Sequence, residues 1–208
     1  SARNWLFVKV GTDEGIYGVG EASGWPRVVE TAIQDMTPLL IGEDPFNIEA
    51  LWQKMLLATM GHGMTGIVGS GAMTGIEMAL WDIVGKAAGQ PVYNLLGGPV
   101  RDKVRVYANG WSYKIQDFDK YVKAAENVVK QGYTAIKFDP LPRPWRTFIP
   151  KEHIRHAVKV VKAMREALGP DVDLMLDIHR RLAPMHAIEL SKRLEEFEPY
   201  WFEEPCQA

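Results

Sequence analysis

Residues 172–181 read VDLMLDIHRR, a short apolar run that ends in an aspartate, a histidine and two arginines. An apolar run of this length is typical of a buried strand, and residues 152–168 and 184–197 on either side have the spacing of amphipathic helices. Two more short runs, at 133–138 and 200–202, complete the alternation. Strand–helix units repeated in this way predict a parallel sheet with right-handed crossovers.

A fourth predicted strand, at residues 104–108, opens this series and is followed by a predicted helix at 117–131. The pattern fits a doubly wound sheet or a (β/α)₈ barrel and does not separate them. No glycine-rich phosphate motif follows the first strand, which weakens a dinucleotide-binding version. If the fold is a barrel, only about its first half lies within these residues, and we expect the remaining strands elsewhere because half a barrel leaves an unpaired edge.

The amino-terminal half has a different order of elements. Two short apolar runs around an Asp/Gly turn, at 5–10 and 16–21, predict a β-hairpin. Helices are predicted at 28–40, 46–59 and 72–88. Strands followed by helices indicate an α+β unit, so two domains are predicted, at residues 1–103 and 104–208. The glycine-rich stretch at 60–71, which contains His62, is predicted to be a mobile loop.

Composition excludes several classes of protein. Apolar residues make up 47% of the 208 residues, charged residues 24%, and the formal charge is −2. The sequence has no basic stripe of the kind that indicates nucleic-acid binding. It also has no apolar run that approaches the roughly 20 residues of a membrane helix. The single cysteine, Cys206, fits a reducing compartment, so a cytoplasmic location is expected. The first residue is Ser, and the natural start of the chain can therefore lie upstream.

Polar side chains stand where the predicted strands end: Lys137 and Asp139, Asp177 and His179, and Glu203. In parallel barrels the carboxyl ends of the strands form the active-site face. Residues two apart in a strand share a face. The side chains of Lys137 and Asp139 can therefore point to the same side of the sheet, and so can those of Asp177 and His179. Carboxylates from neighbouring strands suit Mg²⁺, which prefers oxygen ligands. Two carboxylates are too few for a firm site, and a third is expected from outside these residues.

Several motifs together resemble the enolase superfamily, in its mandelate racemase-like branch. They are the hairpin end at 18–22, the helix motif GIEMALWDI at 75–83 with Lys86, the segment NLLGG at 94–98, Asp177, and the Glu-Glu-Pro motif at 203–205. The resemblance covers nearly the whole chain. It implies an α+β capping domain followed by a (β/α) TIM-type barrel.

The resemblance implies roles for individual residues. Asp177 and Glu203 match the metal ligands of strands three and four, with the third carboxylate on strand five, beyond residue 208. Racemases and cycloisomerases of the family often use a second lysine as base in a Lys-x-Lys motif. Here Asp139 takes that position after Lys137, so the base is expected on later strands, and Lys137 and Asp139 remain candidate catalytic residues.

His179 gives the most specific indication of function. The pattern Asp177-x-His179-x-Arg181 resembles that of galactonate and related sugar-acid dehydratases, in which the histidine is the general acid for the departing 3-hydroxyl. Arg181 is then a candidate for substrate binding. Trp25, which follows the first hairpin, is a second candidate that could contribute to a lid or simply pack on the capping domain. The proline-rich loop at 140–146 could cover the pocket or form an oligomer contact.

The expected function is that of a Mg²⁺-dependent hydro-lyase acting on an aldonic or aldaric acid, with a small sugar acid as its ligand and no nucleic-acid or membrane partner. Two alternatives stay open: an acid-sugar epimerase or cycloisomerase on the same fold, and a non-catalytic member of the superfamily. The family resemblance also implies a homo-oligomer.

Overall fold

The structure is a computed structural model and describes residues 4–60 and 66–207. The chain divides into two compact units, Ser1–Asp102 and Lys103–Ala208. Each unit has a separate cluster of buried apolar side chains. The two units are therefore described one at a time.

The first unit is a β-hairpin covered by helices. Strands Leu6–Gly11 (β1) and Tyr17–Ala22 (β2) are antiparallel, with Leu6 opposite Ala22. The helices are α1 (Pro26–Met36), α2 (Ile48–Met60), α3 (Ile67–Ala88) and α4 (Val92–Leu95), with a 3₁₀ turn at Thr37–Leu39. Helix α3 packs against both strands and against α1 and α2. It is the central element of this unit.

Helix α3 begins at Ile67, whereas the sequence analysis predicted a loop as far as residue 71. The prediction was wrong for residues 67–71 because it weighed the glycines as helix breakers and missed their packing. A Cβ on Gly71 would lie 2.3 Å from the carbonyl oxygen of Ser23, and one on Gly75 would lie 2.8 Å from the Cβ of Ala22. Tertiary packing thus overrides the low helix propensity of glycine. Residues 61–65, with His62, lie outside the described part.

By length and composition alone, α3 is also long and apolar enough to cross a membrane. The sequence analysis looked for an unbroken apolar run, whereas α3 is interrupted by Glu77, Asp82 and Lys86. Half of its most apolar 18-residue stretch is buried. Because α3 packs against the hairpin and two other helices, it has the position of a core helix.

The second unit alternates helices and parallel strands. Its elements are α5 (Phe118–Lys130), β3 (Ala135–Phe138), α6 (Lys151–Leu168), β4 (Asp173–Asp177), α7 (Pro184–Leu194), a 3₁₀ turn at Glu195–Phe197, and β5 (Trp201–Glu203). The strands are parallel in the order β3-β4-β5. Leu174 and Leu176 on the central strand are fully buried. The sheet and its helices form one core.

The strand predicted at residues 104–108 is reduced to a single pairing. Ala108 bridges to Ile136, and its amide donates to the carbonyl of Ala135. Val104 and Val106 are exposed and make no ladder hydrogen bonds in the described structure. The apolar alternation there predicted a full strand, but only its last residue finds a partner on β3.

Candidate active site

The carboxyl ends of β3, β4 and β5 bring three of the predicted site residues together. Asp177, the last residue of β4, lies opposite Glu203, the last residue of β5. Lys137 is the third residue of the neighbouring strand β3. Because all three strands run in the same direction, their final side chains meet at one edge of the sheet. The sequence analysis had placed these three residues at one edge.

Lys137 links the two carboxylates. Its Nζ lies 3.0 Å from Oδ2 of Asp177, and 3.1 and 3.2 Å from Oε1 and Oε2 of Glu203. Lys137 and Asp177 are only 9% and 8% exposed. Burial alone would lower the pKa of Lys137, but the hydrogen bonds that its ammonium donates to Asp177 and Glu203 outweigh it and raise the pKa. The two carboxylates therefore favour the charged form of the lysine that lies between them.

His179 follows β4 in an unusual backbone conformation. Its φ is +56° and that of Arg180 is +53°, both in the left-handed region that non-glycine residues rarely adopt. The turn lets the amide of His179 donate to Oδ1 of Asp177 at 3.1 Å, and brings its Nδ1 to 3.5 Å from the same oxygen. Such strain costs about 1–3 kcal/mol per residue and is characteristic of functional sites.

Asp139 makes contacts different from those of Lys137. Strand alternation predicts a shared face, but β3 ends at Phe138, and Oδ1 of Asp139 accepts a hydrogen bond from the amide of Leu141 in the turn that follows. Its carboxylate forms a two-pronged ion pair with Arg181, with Nη1 to Oδ2 at 2.7 Å. Arg181 is 6% exposed. The two residues act as a fixed unit beside the cluster around Lys137.

Trp145 is the site residue that the sequence analysis did not single out. Its ring stacks on the imidazole of His179, with centroids 5.3 Å apart and planes 28° apart. The guanidinium groups of Arg143 and Arg181 lie 4.4 and 5.1 Å from its centroid. The loop at 140–146 was noted for its prolines, and a tryptophan between two arginines was the available signal. Loop geometry, which periodicity does not predict, brings it to His179.

The donor set fits a hard divalent cation in part. Asp177 and Glu203 offer carboxylate oxygens at one point of the sheet edge, where the ammonium of Lys137 lies between them. Within residues 4–60 and 66–207, no group of three metal-ligating side chains occurs. Asp177 and Glu203 would thus be two of the oxygen ligands of a Mg²⁺ ion, whose remaining positions need further oxygen donors.

Trp25 belongs to the first unit, where it precedes α1 and is largely exposed. Its predicted contact with substrate stays a prediction. Arg180, beside the site, pairs with Glu204 across the ends of β4 and β5. That pair was also missed, although opposite charges at the ends of adjacent strands were visible in the sequence.

Two family models match the chain. The mandelate racemase / muconate lactonizing enzyme N-terminal domain matches residues 1–97, and the enolase C-terminal domain-like model matches residues 120–208. The chain belongs to this family of the enolase superfamily. The predicted fold class, an α+β capping domain followed by the first part of a barrel domain, is confirmed.

Individual relatives agree with this assignment. The chain is 37% identical to a D-gluconate dehydratase of Thermoproteus tenax, over 96% of this chain and 40% of the relative. It is 39% identical to a D-galactonate dehydratase of Variovorax paradoxus, over 100% of this chain and 53% of the relative. A crystal structure of the 3,6-anhydro-D-galactonate cycloisomerase of Zobellia galactanivorans superposes with a TM-score of 0.85 at 34% identity, covering 99% of this chain and 54% of that one. The chain spans about half the length of the curated relatives it matches.

Proposed function

We propose that the complete protein is a Mg²⁺-dependent sugar-acid dehydratase. The observation that carries the proposal is the turn after β4, which directs His179 to the carboxylate of Asp177 in the same cluster as Lys137 and Glu203. The relatives named as gluconate and galactonate dehydratases support the same reaction class. The substrate would be an aldonic or aldaric acid, and the product a 2-keto-3-deoxy acid.

The reaction is an elimination of water without any change in overall oxidation state. A base removes the proton from C2, the electron pair forms the C2–C3 double bond, and the C3–O bond breaks. His179 donates a proton to the departing hydroxyl, which leaves as water, and the enol tautomerises to the 2-keto acid. General acid catalysis of this kind contributes about 10²–10⁴ in rate.

A bound Mg²⁺ ion would supply Lewis-acid stabilisation of the negative charge that develops as the C2 proton leaves. Asp177 and Glu203 would hold it. Lys137, already a cation at this point, would add positive charge beside the substrate carboxylate. The Asp139–Arg181 pair would hold the wall of the pocket in place, with Arg181 close to the substrate. The base is proposed to lie on later strands, as the family resemblance implies.

A cycloisomerase is the second candidate, because one structural relative carries that name. Such an enzyme would use the same cation site and the same removal of the C2 proton. The C3–O bond that breaks would belong to an anhydro ring, so the oxygen would stay attached through C6 and the product would be an isomer of the substrate. Assembly as a homo-oligomer and a cytoplasmic location stay predictions from the sequence.

The test is turnover of a panel of aldonic, aldaric and 3,6-anhydro aldonic acids by the complete protein, with and without Mg²⁺, detecting 2-keto-3-deoxy product and its mass relative to the substrate. We expect metal-dependent product with at least one acid, and a loss of about 10²-fold or more in His179→Asn. His156→Asn, on the exposed face of α6, is the matched control and should retain activity. Isomerised product without loss of water would favour the cycloisomerase. No turnover by folded, metal-loaded protein would contradict both proposals.

A further inference from the structure

The imidazole of His179 has few contacts that could fix its orientation. Its side chain is 46% exposed. In the described structure, Asp177 lies beside Nδ1, and the indole of Trp145 lies against the face of the ring. Because Nδ1 faces Asp177, Nε2 is the nitrogen left to face a substrate. The indole of Trp145 therefore fixes the plane of the imidazole ring and with it the direction of Nε2.

Trp145 is itself held firmly, although it lies on a loop and is 46% exposed. The guanidinium of Arg181, fixed by its ion pair with Asp139, lies 5.1 Å from the indole centroid, and that of Arg143 lies 4.4 Å away. Cation–π contacts of this kind contribute about 0.5–1 kcal/mol each at exposed sites.

Both ends of the loop are also hydrogen-bonded, one to the residue after β3 and the other to the residue before α7. The amide of Leu141 donates to Asp139 at 3.0 Å, and the amide of Ala183 donates to the carbonyl of Thr147 at 3.0 Å. Trp145 lies between these two hydrogen-bonded points. The indole is thus presented to His179 by an anchored segment.

We propose that Trp145 is a positioning residue, which fixes the imidazole of His179 so that Nε2 meets the departing 3-hydroxyl of the substrate. This inference rests on the proposed function of His179 as general acid. Trp145 acts through His179 and takes no proton itself. A misplacement of about 1 Å in a catalytic group can cost about 10²-fold in rate, so a stacked ring at this position has a measurable effect.

The first test compares Trp145→Leu with Trp145→Phe in the complete enzyme. We expect Trp145→Leu to lower kcat by about 10–100-fold with little change in KM, because orientation of the acid matters in the transition state. Trp145→Phe keeps an aromatic face and should recover most of the rate. Phe148→Leu is the matched control, because Phe148 is exposed nearby on the same segment and its ring contacts His186 instead.

The second test separates positioning from a general structural effect. In a 3-deoxy-3-fluoro sugar acid, the C3–F bond breaks and fluoride leaves with the electron pair, so the product is the same but no proton donor is required. We expect Trp145→Leu and His179→Asn to eliminate fluoride at close to the rate of the unchanged enzyme. The double variant should lose no more dehydration activity than His179→Asn alone, because both changes remove one function.

Equal losses of water and fluoride elimination in Trp145→Leu would overturn the inference, since the site as a whole would then be damaged. Additive losses in the double variant, or an unchanged kcat in Trp145→Leu, would overturn it as well. A failure of the proposed function has a different signature, since the unchanged enzyme would then dehydrate no sugar acid, or His179→Asn would be fully active.

Discussion

Arg180 and Arg181 are adjacent in sequence, and each pairs with a carboxylate, but their surroundings differ. Arg181 is buried against Asp139, whereas Arg180 lies at the surface with Glu204. A surface ion pair is screened by water and contributes little. Removal of one partner from a buried pair leaves the other carboxylate without its counter-ion.

We expect Arg181→Ala to lower the free energy of unfolding by about 3 kcal/mol, because Asp139 would remain partly buried and unpaired. Arg180→Ala is the matched control and should leave the free energy of unfolding nearly unchanged. Denaturant unfolding of both variants measures the difference. Equal effects of the two substitutions would show that burial does not distinguish the pairs.

Lys137→Met tests the charge balance of the cluster. Without the ammonium, Asp177 and Glu203 face each other uncompensated, so the metal-free variant should lose about 1–3 kcal/mol of stability. If the carboxylates hold Mg²⁺, the added ion should raise the melting temperature of the variant more than that of the unchanged protein. Lys162→Met, which breaks an exposed pair on α6, should change stability by less than about 0.5 kcal/mol.

Asp82 in the first unit makes a pH-dependent contribution to the stability of the fold. The hydrogen bond from Lys86, with another from the amide of Val19, lowers the pKa of Asp82 in the folded state. A lowered pKa stabilises the fold at pH values above the pKa of Asp in the unfolded chain, about 3.9. This stabilisation is lost as the pH falls through the pKa of the folded state.

Asp82→Asn should therefore cost about 0.5–1 kcal/mol at pH 7, a small value because the carboxylate is about one-third exposed. The difference from the unchanged protein should vanish in strong acid. Thermal unfolding from pH 7 to 2 follows it. A difference that grows towards low pH would contradict the assigned sign.

At the scale of elements, the contact between β2 and α3 depends on the absence of side chains. A Cβ on Gly18 would lie 1.8 Å from the carbonyl oxygen of Ala79, and one on Gly20 would lie 2.0 Å from that of Gly75. Both collisions are with backbone atoms, which cannot rotate away. The hairpin and the helix therefore approach as closely as their main chains allow.

Gly18→Ala should accordingly destabilise the protein by about 3 kcal/mol, the upper range for overpacking. Gly11→Ala, on the other strand of the hairpin, is the control, since its Cβ would meet nothing within 4 Å. That variant should match the unchanged protein in denaturant unfolding. Similar losses in both would indicate a general cost of alanine in the hairpin.

Apart from the strand at 104–108, the elements of the second unit could be predicted because each has a clear period and a clear stop. Asp117, for example, caps α5: its Oδ1 accepts a hydrogen bond from the amide of Lys120 at 2.9 Å. The early start of α3 could not be predicted, because it depends on how glycines fit against a distant strand. Likewise, the strand ends gave Lys137, Asp177 and Glu203, but Trp145 reaches His179 through a loop whose path follows from tertiary contacts.

At the scale of the whole molecule, the two units have separate cores and meet in sequence at residues 102 and 103. The connecting segment, 99–107, contains exposed apolar side chains, including Val100 at 94% exposure. No helix or strand is assigned there in the described structure. Few backbone hydrogen bonds therefore protect this segment from proteases.

Brief digestion with trypsin should cut first within this segment, at Arg101, Lys103 or Arg105, and release two protease-resistant fragments. Mass spectrometry of the fragments locates the cut. Initial cleavage inside α3 or α6 would contradict the division into two stable units.

The glycine contacts between β2 and α3 have a practical consequence for engineering. Their spacing is set by main-chain atoms, so exchanges of core side chains elsewhere should leave the hairpin in register with the helix. The segment that follows β2, at Ser23 to Trp25, begins from this locked position, with Gly71 beneath the carbonyl of Ser23. Libraries that vary Ser23 and Trp25 but keep Gly24, whose φ of +111° favours glycine, would sample new loop chemistry on an unchanged base.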